Sequence, residues 1–195
     1  MKIKQLLILI IILCFLSDDK TIFSQEIRHN AFIAPVIRNC SILNQYAMLA
    51  GLRGGWVIDE TFVIGGAYYS LLNRVNSYYA PNPAGDRFNM ELSMGGLEFE
   101  LVYPSEKTIH GSLVLFMGGG GLKFIPENKS NVSPYGLSFV IWEPQLNSEF
   151  NLSGCLKLNL GIGYRIIKGF DDYYNIRQSD LTGLNGIISL KIGKY

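Results

Sequence analysis

Apolar and polar side chains alternate with a period of two along most of the chain beyond its first 24 residues. Between Cys155 and Ile167, one row holds Leu156, Leu158, Leu160, Ile162, Tyr164 and Ile166, and the other holds Lys157, Asn159, Gly161, Gly163 and Arg165. Successive side chains of a strand point to opposite faces, so this segment predicts a strand with one oily face and one polar or bare face. Leu184, Ile188, Leu190 and Ile192 alternate in the same way with Asn185, Ser189, Lys191 and Gly193, with Ile187 breaking the polar row. Leu97, Phe99, Leu101 and Tyr103 alternate with Glu98, Glu100 and Val102; Met48, Ala50, Leu52 and Trp56 alternate with Leu49, Gly51, Arg53 and Gly55. From Phe62 to Leu72 and from Leu113 to Phe124, both rows are apolar or glycine. Those two segments fit either a sheet covered on both faces or a lumen packed with small and apolar groups. Helical periodicity is weak throughout.

The breaks between these segments define eight strands, spanning His29–Arg38, Tyr46–Trp56, Phe62–Val75, Met90–Tyr103, Thr108–Ile125, Gly136–Glu143, Glu149–Ile167 and Thr182–Lys194. Pro35 inside the first strand implies an edge-like position, a bulge or a later start. The connections alternate in length. Ile58–Thr61, Pro104–Lys107 and Gln145–Ser148 are short; Asn76–Asn89, Pro126–Pro134 and Gly169–Thr182 are long. Tight turns at one end and longer loops at the other are the connection pattern of membrane-spanning barrels. Tyr46 to Trp56 is ten steps of about 3.3 Å, and at a tilt of about 40° it rises about 25 Å, the height of an apolar membrane band. Tyr46 and Trp56 then stand at opposite water–lipid boundaries, with Tyr103 at the inner and Tyr164 at the outer one. The predicted fold is all-β: an eight-stranded antiparallel up-and-down transmembrane β-barrel with short periplasmic turns and longer outer loops.

The N-terminus changes the compartment. Lys2 and Lys4 precede an apolar run from Leu6 to Leu16, which is too short for a membrane-spanning helix and has the form of an export signal. Residues 1–24 are expected to leave after Ser24, and 25–195 to form the barrel. Leu13 before Cys14 is not the small residue that lipid attachment requires, so Cys14 is expected to leave with the signal. Hydrophobic content of 48% and a mean hydropathy of +0.20 are high for a chain with no later apolar segment, and a barrel can expose that surplus to lipid. A net charge of +1 gives no reason to expect nucleic acid as a partner. Cys40 and Cys155 fall at opposite ends of the predicted barrel, and no disulfide is expected between them.

The architecture resembles that of the small eight-stranded outer-membrane β-barrels, the family of the transmembrane domain of outer membrane protein A. Tyr195 resembles the terminal aromatic residue that such barrels present to their assembly machinery, with Gly193 and Lys191 in its register. The resemblance implies a location in the outer membrane, contact with its lipid, and the assembly machinery as a partner during biogenesis. It carries no cofactor, and oligomeric state is open.

The candidate site is the inward face. Arg53, Glu98, Glu100, Lys157, Arg165 and Lys191 fall opposite the oily rows, and Glu143 and Glu149 are placed to join them. An eight-stranded barrel is just wide enough for side chains to fill, and charges enclosed there must be paired. A salt-bridged plug is the favoured reading and a narrow gated pore its alternative. Gly118–Gly121 lacks the Lys-Ser/Thr and the following helix of a phosphate cradle, and reads instead as a bend or a gap facing a bulky neighbour. Asp171 and Asp172 are too few for a calcium loop. The expected role is structural, adhesive or that of a minor conduit, without enzymatic activity. Two other readings stay open: a soluble exported barrel binding an apolar ligand, which would turn its oily rows inward, and a lipid-modifying hydrolase using His110 and Ser112, two residues apart on one strand face.

Overall fold

The computed structural model describes residues 29–77, 88–103, 109–126, 135–171 and 176–193. The expected leader, the Pro104–Lys107 connection, Tyr78–Tyr79 and Tyr195 lie outside them. Eight long antiparallel strands form the wall: β1 (His29–Ile42), β2 (Gln45–Ile58), β3 (Phe62–Leu71), β5 (Phe88–Val102), β6 (Ile109–Pro126), β7 (Tyr135–Ser153), β8 (Leu156–Lys168) and β9 (Gly183–Gly193). A two-residue strand, β4 (Asn76–Ser77), pairs antiparallel with the start of β5, and one short helix, α1 (Gln178–Leu181), precedes β9. Each long strand pairs with its sequence neighbour, β3 joins β5, and β1 pairs with β9, so the sheet closes on itself. No edge is left open along the wall, which is what a sheet in hydrocarbon requires.

The register fixes the shape. From Val57, successive pairs lead through Val63, Glu100, Val114, Gln145, Gly163, Asn185 and Cys40 and return to β2 at Ala47, ten residues from the start. Ten steps of about 3.3 Å against eight strands about 4.8 Å apart give a tilt of about 40°. All nine residues on that path are buried, so the inward face is continuous around the barrel.

Several sequence expectations shift. Gln145–Ser148 is not a turn: it lies inside the 19-residue β7, and the connection to β8 is Gly154–Cys155. Glu149 therefore belongs to β7, opposite Asn159 on β8, rather than to one strand running to Ile167. The misleading signal is Pro144. It faces outward and keeps its pairing with Leu115 on β6, while the β7–β8 register passes from Trp142↔Ile166 to Gln145↔Gly163, skipping Glu143 and Pro144. Pro35 behaves alike: it pairs with Leu52, and the β1–β9 register passes from Ile33↔Ile192 to Val36↔Ser189. A proline removes one N–H, so it interrupts the ladder on one side without ending the strand. β1 also runs past Arg38 to Ile42 and turns to β2 through Leu43 and Asn44, both at positive φ, so this connection is tight although the others at its end are long. β3 ends at Leu71 rather than Val75.

The two segments without polar alternation have a packed lumen behind them. Val63, Ala67 and Tyr69 on β3 and Val114, Phe116, Leu122 and Phe124 on β6 are buried inside. Glycines 118–121 serve both expected purposes. A Cβ on Gly118 would lie 2.2 Å from the carbonyl oxygen of Gly95 and 2.8 Å from Gly96 Cα, so the two strands bend sharply together there. A Cβ on Gly120 would strike the Phe139 ring at 2.5 Å, so Gly120 leaves the gap which that ring fills.

The outer wall is oily. Leu52, Trp56, Leu97, Leu101, Leu113, Leu146, Leu160, Ile162 and Leu184 are all at least 40% exposed, while Asn159, Arg165, Glu100 and Glu143 are fully buried. This sidedness opposes the soluble ligand-binding alternative. Because Ile162 faces outward near the middle of β8, Ile162→Arg should cost roughly 2–4 kcal/mol of folding free energy in vesicles, whereas Ile162→Leu should cost under 1; reversible urea unfolding measures both. Gly118→Ala should prevent closure of the β5–β6 corner, and Gly121→Ala, whose nearest foreign atom is 3.8 Å away, should fold; gel mobility of the unboiled protein separates them.

Candidate functional site: the ion ladder in the lumen

Seven inward charges from five strands form one chain of alternating sign. Glu149 on β7 contacts Lys191 on β9. Lys191 Nζ donates to Glu100 Oε1 on β5 at 2.8 Å. Glu100 Oε2 accepts from Arg53 Nη2 on β2 at 2.9 Å. Arg53 Nε lies 2.7 Å from Glu98 Oε2, a charge contact without hydrogen-bond alignment. Glu98 Oε1 stands 3.7 Å from Arg38 Nη2 on β1, and Arg38 Nη1 donates to Glu143 Oε1 on β7 at 2.6 Å. All seven residues are at most 2% exposed. Period-two alternation puts each of them on the inner face, and the ten-residue stagger makes the chain climb as it crosses the lumen.

Neutral groups add further hydrogen bonds to the acids. Ser112 Oγ donates to Glu100 Oε1 at 2.6 Å, Tyr69 Oη to Glu98 Oε1 at 2.9 Å, and Gln145 Nε2 to Glu143 Oε1 at 3.0 Å. Arg38 also stacks on Tyr69, its Cζ 3.6 Å from the ring centroid, and Tyr69 meets Phe116 edge to face. Lys191 and Arg53 flank the Phe32 ring at 4.9 and 5.5 Å. Burying a charge is costly unless it is paired and hydrogen-bonded, and these contacts supply that pairing.

Of the residues singled out from sequence, Arg53, Glu98, Glu100 and Lys191 meet in this ladder, and Glu143 and Glu149 join them. Lys157 stands half-buried at its foot, on β8 opposite Lys191. Arg165 is fully buried but belongs to a different structure at the loop end. Its Nε donates to Leu181 O at 2.7 Å, its Nη2 to Ser41 O at 3.3 Å, and its Nη1 to Cys40 Sγ at 3.4 Å. Leu43 N donates to Asp180 O at 2.9 Å. Segment 176–182 thus folds over the mouth, with Ile176 and Leu181 buried in the apolar layer that fills the loop-end half of the lumen. Arg38 was missed. Its segment reads as a weak strand ending at that residue, although its alternation with Val36 and Cys40 was visible. The false turn after Glu143 hides only that it shares β7 with Glu149.

Ser112 sits deep in this network at 2% exposure, with its hydroxyl given to Glu100. His110 Nδ1 has no hydrogen-bond partner among the described residues. That geometry gives the hydrolase reading no activated nucleophile. Cys40 and Cys155 are both free. Cys40 lies opposite Asn185 and Cys155 O accepts from Gly193 N, which puts them eight residues, about 26 Å, apart along β9. Among the described residues no group of three or more His, Cys, Asp or Glu side chains is arranged to hold a metal.

Closed eight-stranded wall, ten-residue stagger, oily exterior and polar lumen together define the fold of the small outer-membrane β-barrels. No family model and no curated protein matches the sequence. Solved structures do match the fold. Neisserial surface protein A superposes with a TM-score of 0.58 at 8% identity, over 86% of this chain and 99% of that one. The N-terminal β-barrel domain of Pseudomonas aeruginosa OprF gives 0.56 at 7% identity, over 86% and 99%. Ail, the attachment invasion locus protein of Yersinia pestis, solved with the heparin analogue sucrose octasulfate, gives 0.54 at 10%, over 87% and 99%.

Removing one member of the ladder strands its partners. Arg38→Ala should lower folding free energy by about 3–5 kcal/mol, because Glu143 and Glu98 lose their shared cation inside the barrel; urea titration in micelles or vesicles checks it. Arg165→Ala should instead leave the barrel folded and raise backbone hydrogen exchange in residues 176–182.

Proposed function

We propose that this protein is an integral outer-membrane barrel with a closed interior, whose role is to anchor and display its outer connections rather than to conduct solutes or catalyse a reaction. The observation that carries the reading is the inversion of polarity. The oily rows face out, and the lumen is blocked by the ion ladder toward the turn end and by an apolar layer toward the loop end. In this reading the turn end, with Asp59–Thr61 and Gly154–Cys155, faces the periplasm, and the clamped segment 176–182 faces outward. Export through a cleaved leader, delivery by the assembly machinery and lodging in outer-membrane lipid follow from it. Of the neighbours in fold, Neisserial surface protein A is by name a surface protein and Ail by name an attachment protein; that likeness in architecture supports a display role over transport.

The plugged lumen is the testable part. The protein should partition with the outer-membrane fraction and migrate faster on a gel when unboiled. In planar bilayers it should give no discrete conductance steps at 100 mV in 1 M salt. Reproducible steps would make it a conduit and overturn the plug.

A further inference from the structure

On one side, toward the loops, the oily outer wall gives way to a polar notch. One register row sets Ser70 on β3, Ser93 on β5 and Gly121 on β6 outward, and Ser138 on β7 continues it. One row nearer the loops, Glu91 and Lys123 stand opposite each other, both exposed. Among the described residues neither has an ion-pair partner. The strands make room here. β3 pairs with β5 as far as Ser70↔Ser93, and β4 resumes the pairing only at Asn76↔Asn89, so the wall parts opposite Glu91 and Leu92. The result is a recess of about 390 Å³ whose polar lining is Tyr68, Ser70, Glu91, Ser93 and Lys123.

The height of the recess is that of a membrane boundary. Ser93 stands ten steps along β5 from Tyr103, about 25 Å at the barrel's tilt, which is the height of the apolar band. Tyr103 is 77% exposed and Tyr68 57%, so an amphipathic ring marks each level. Glu91 and Lys123 lie just beyond, at the depth of lipid headgroups. Below the recess the next outward row is Tyr68, Gly95, Gly119 and Val140. Tyr68 leans over Gly95, its Cδ2 3.4 Å from where a Cβ would stand, and Gly119 beside it is bare and exposed. A shallow groove therefore runs between Tyr68 and Val140 from the recess down toward Met117.

We infer that this recess binds the headgroup of a zwitterionic, amine-bearing phospholipid, with one acyl chain in the groove over Gly119. Lys123 takes the phosphate, the Ser70 and Ser93 hydroxyls donate to its oxygens, and Glu91 accepts from the ammonium. Cross-strand partners have Cβ atoms about 5 Å apart, so Glu91 and Lys123 present one anion and one cation side by side. A headgroup whose phosphate and ammonium are joined by an ethanolamine arm answers both. A polyanionic headgroup meets one cation only and is repelled by Glu91, and a choline headgroup has no N–H to give to that carboxylate. The groove and the boundary height favour a lipid over the free headgroup in solution. The inference rests on the reading that the barrel spans a bilayer, and it is independent of the display role and of the plugged lumen.

The test is native mass spectrometry of the folded chain released from micelles. The micelles carry equal amounts of phosphatidylethanolamine, phosphatidylcholine and phosphatidylglycerol with the same acyl chains. Phosphatidylethanolamine should be retained about fivefold over each of the others, the scale of one exposed charge contact. Glu91→Ala should abolish its advantage over phosphatidylcholine, and Lys123→Ala should lower retention of all three. Equal retention of the ethanolamine and choline lipids, a preference for phosphatidylglycerol, or an ethanolamine preference that survives Glu91→Ala overturns the site. Both side chains are exposed, so both variants should fold, which gel mobility of the unboiled protein checks. Should either fail to fold, amide shifts of the wild type decide: those of Ser93 and Gly121 should move when phosphatidylethanolamine replaces phosphatidylcholine in nanodiscs, and unmoved shifts overturn the site. If Ile162→Arg still destabilises the barrel in vesicles while the lipid preference is missing, the membrane barrel stands and only the headgroup site falls.

Discussion

The ion ladder from Glu149 to Glu143 is the constraint on which the rest of the barrel rests. A wall whose outside faces hydrocarbon gains little from packing apolar groups within it, because lipid chains serve those groups as well. What tells the inside from the outside is charge. Seven charges that are unaffordable in lipid are satisfied in the lumen by one another, and each contact reaches across the barrel rather than along a hairpin. Arg38 and Glu143 are 105 residues apart and Lys191 and Glu100 are 91 apart. Those contacts exist only when β1 and β9 have closed the sheet, so the ladder specifies the closed barrel over an open curl of hairpins.

Around that chain the lumen is divided by chemistry. Phe32, Ala34, Val57 and Val63 form a small apolar floor at the turn end. The ladder lies above it, and the larger apolar layer with Tyr69, Phe116 and Ile141 fills the loop end under segment 176–182. Arg38 joins the two regions, with its guanidinium on Glu143 and its flat face on Tyr69. Eight strands enclose too little space for this to be lining; it is filling. The closed interior leaves the connections at the two ends as the parts free to meet other molecules, and this is why the proposed role falls on display.

Backbone chemistry shapes the wall in places where a side-chain pattern gives no warning. Pro35 and Pro144 each sit mid-strand with one ladder interrupted and the other intact. Gly96 and Gly118 face each other so closely that a Cβ on either would lie 2.2 Å from a carbonyl oxygen of the opposite strand. The curvature of an eight-stranded barrel is concentrated at such pairs, since a uniform bend would force every side chain on the inner face into its neighbours.

The alternation of Leu158, Leu160 and Ile162 with Asn159 and Arg165 fixed by itself that the chain forms strands with one face for lipid, because side-chain direction in a strand follows from local geometry alone. The eight-strand count and the inward placement of Arg53, Glu98, Glu100 and Lys191 were legible for the same reason. Only the closed structure decided which charges meet. Partners are set by register and by the ten-residue stagger, quantities that accumulate around the whole sheet and are written in no single segment. Hence Arg165, indistinguishable in pattern from Arg53, leaves the ladder and clamps Leu181 at the mouth. Hence also Glu149, read as the start of one strand, lies within another: the turn at Gly154–Cys155 is chosen by where β7 and β8 can pair over their full lengths, and the apparent break at Pro144 costs that pairing only one interruption on one side.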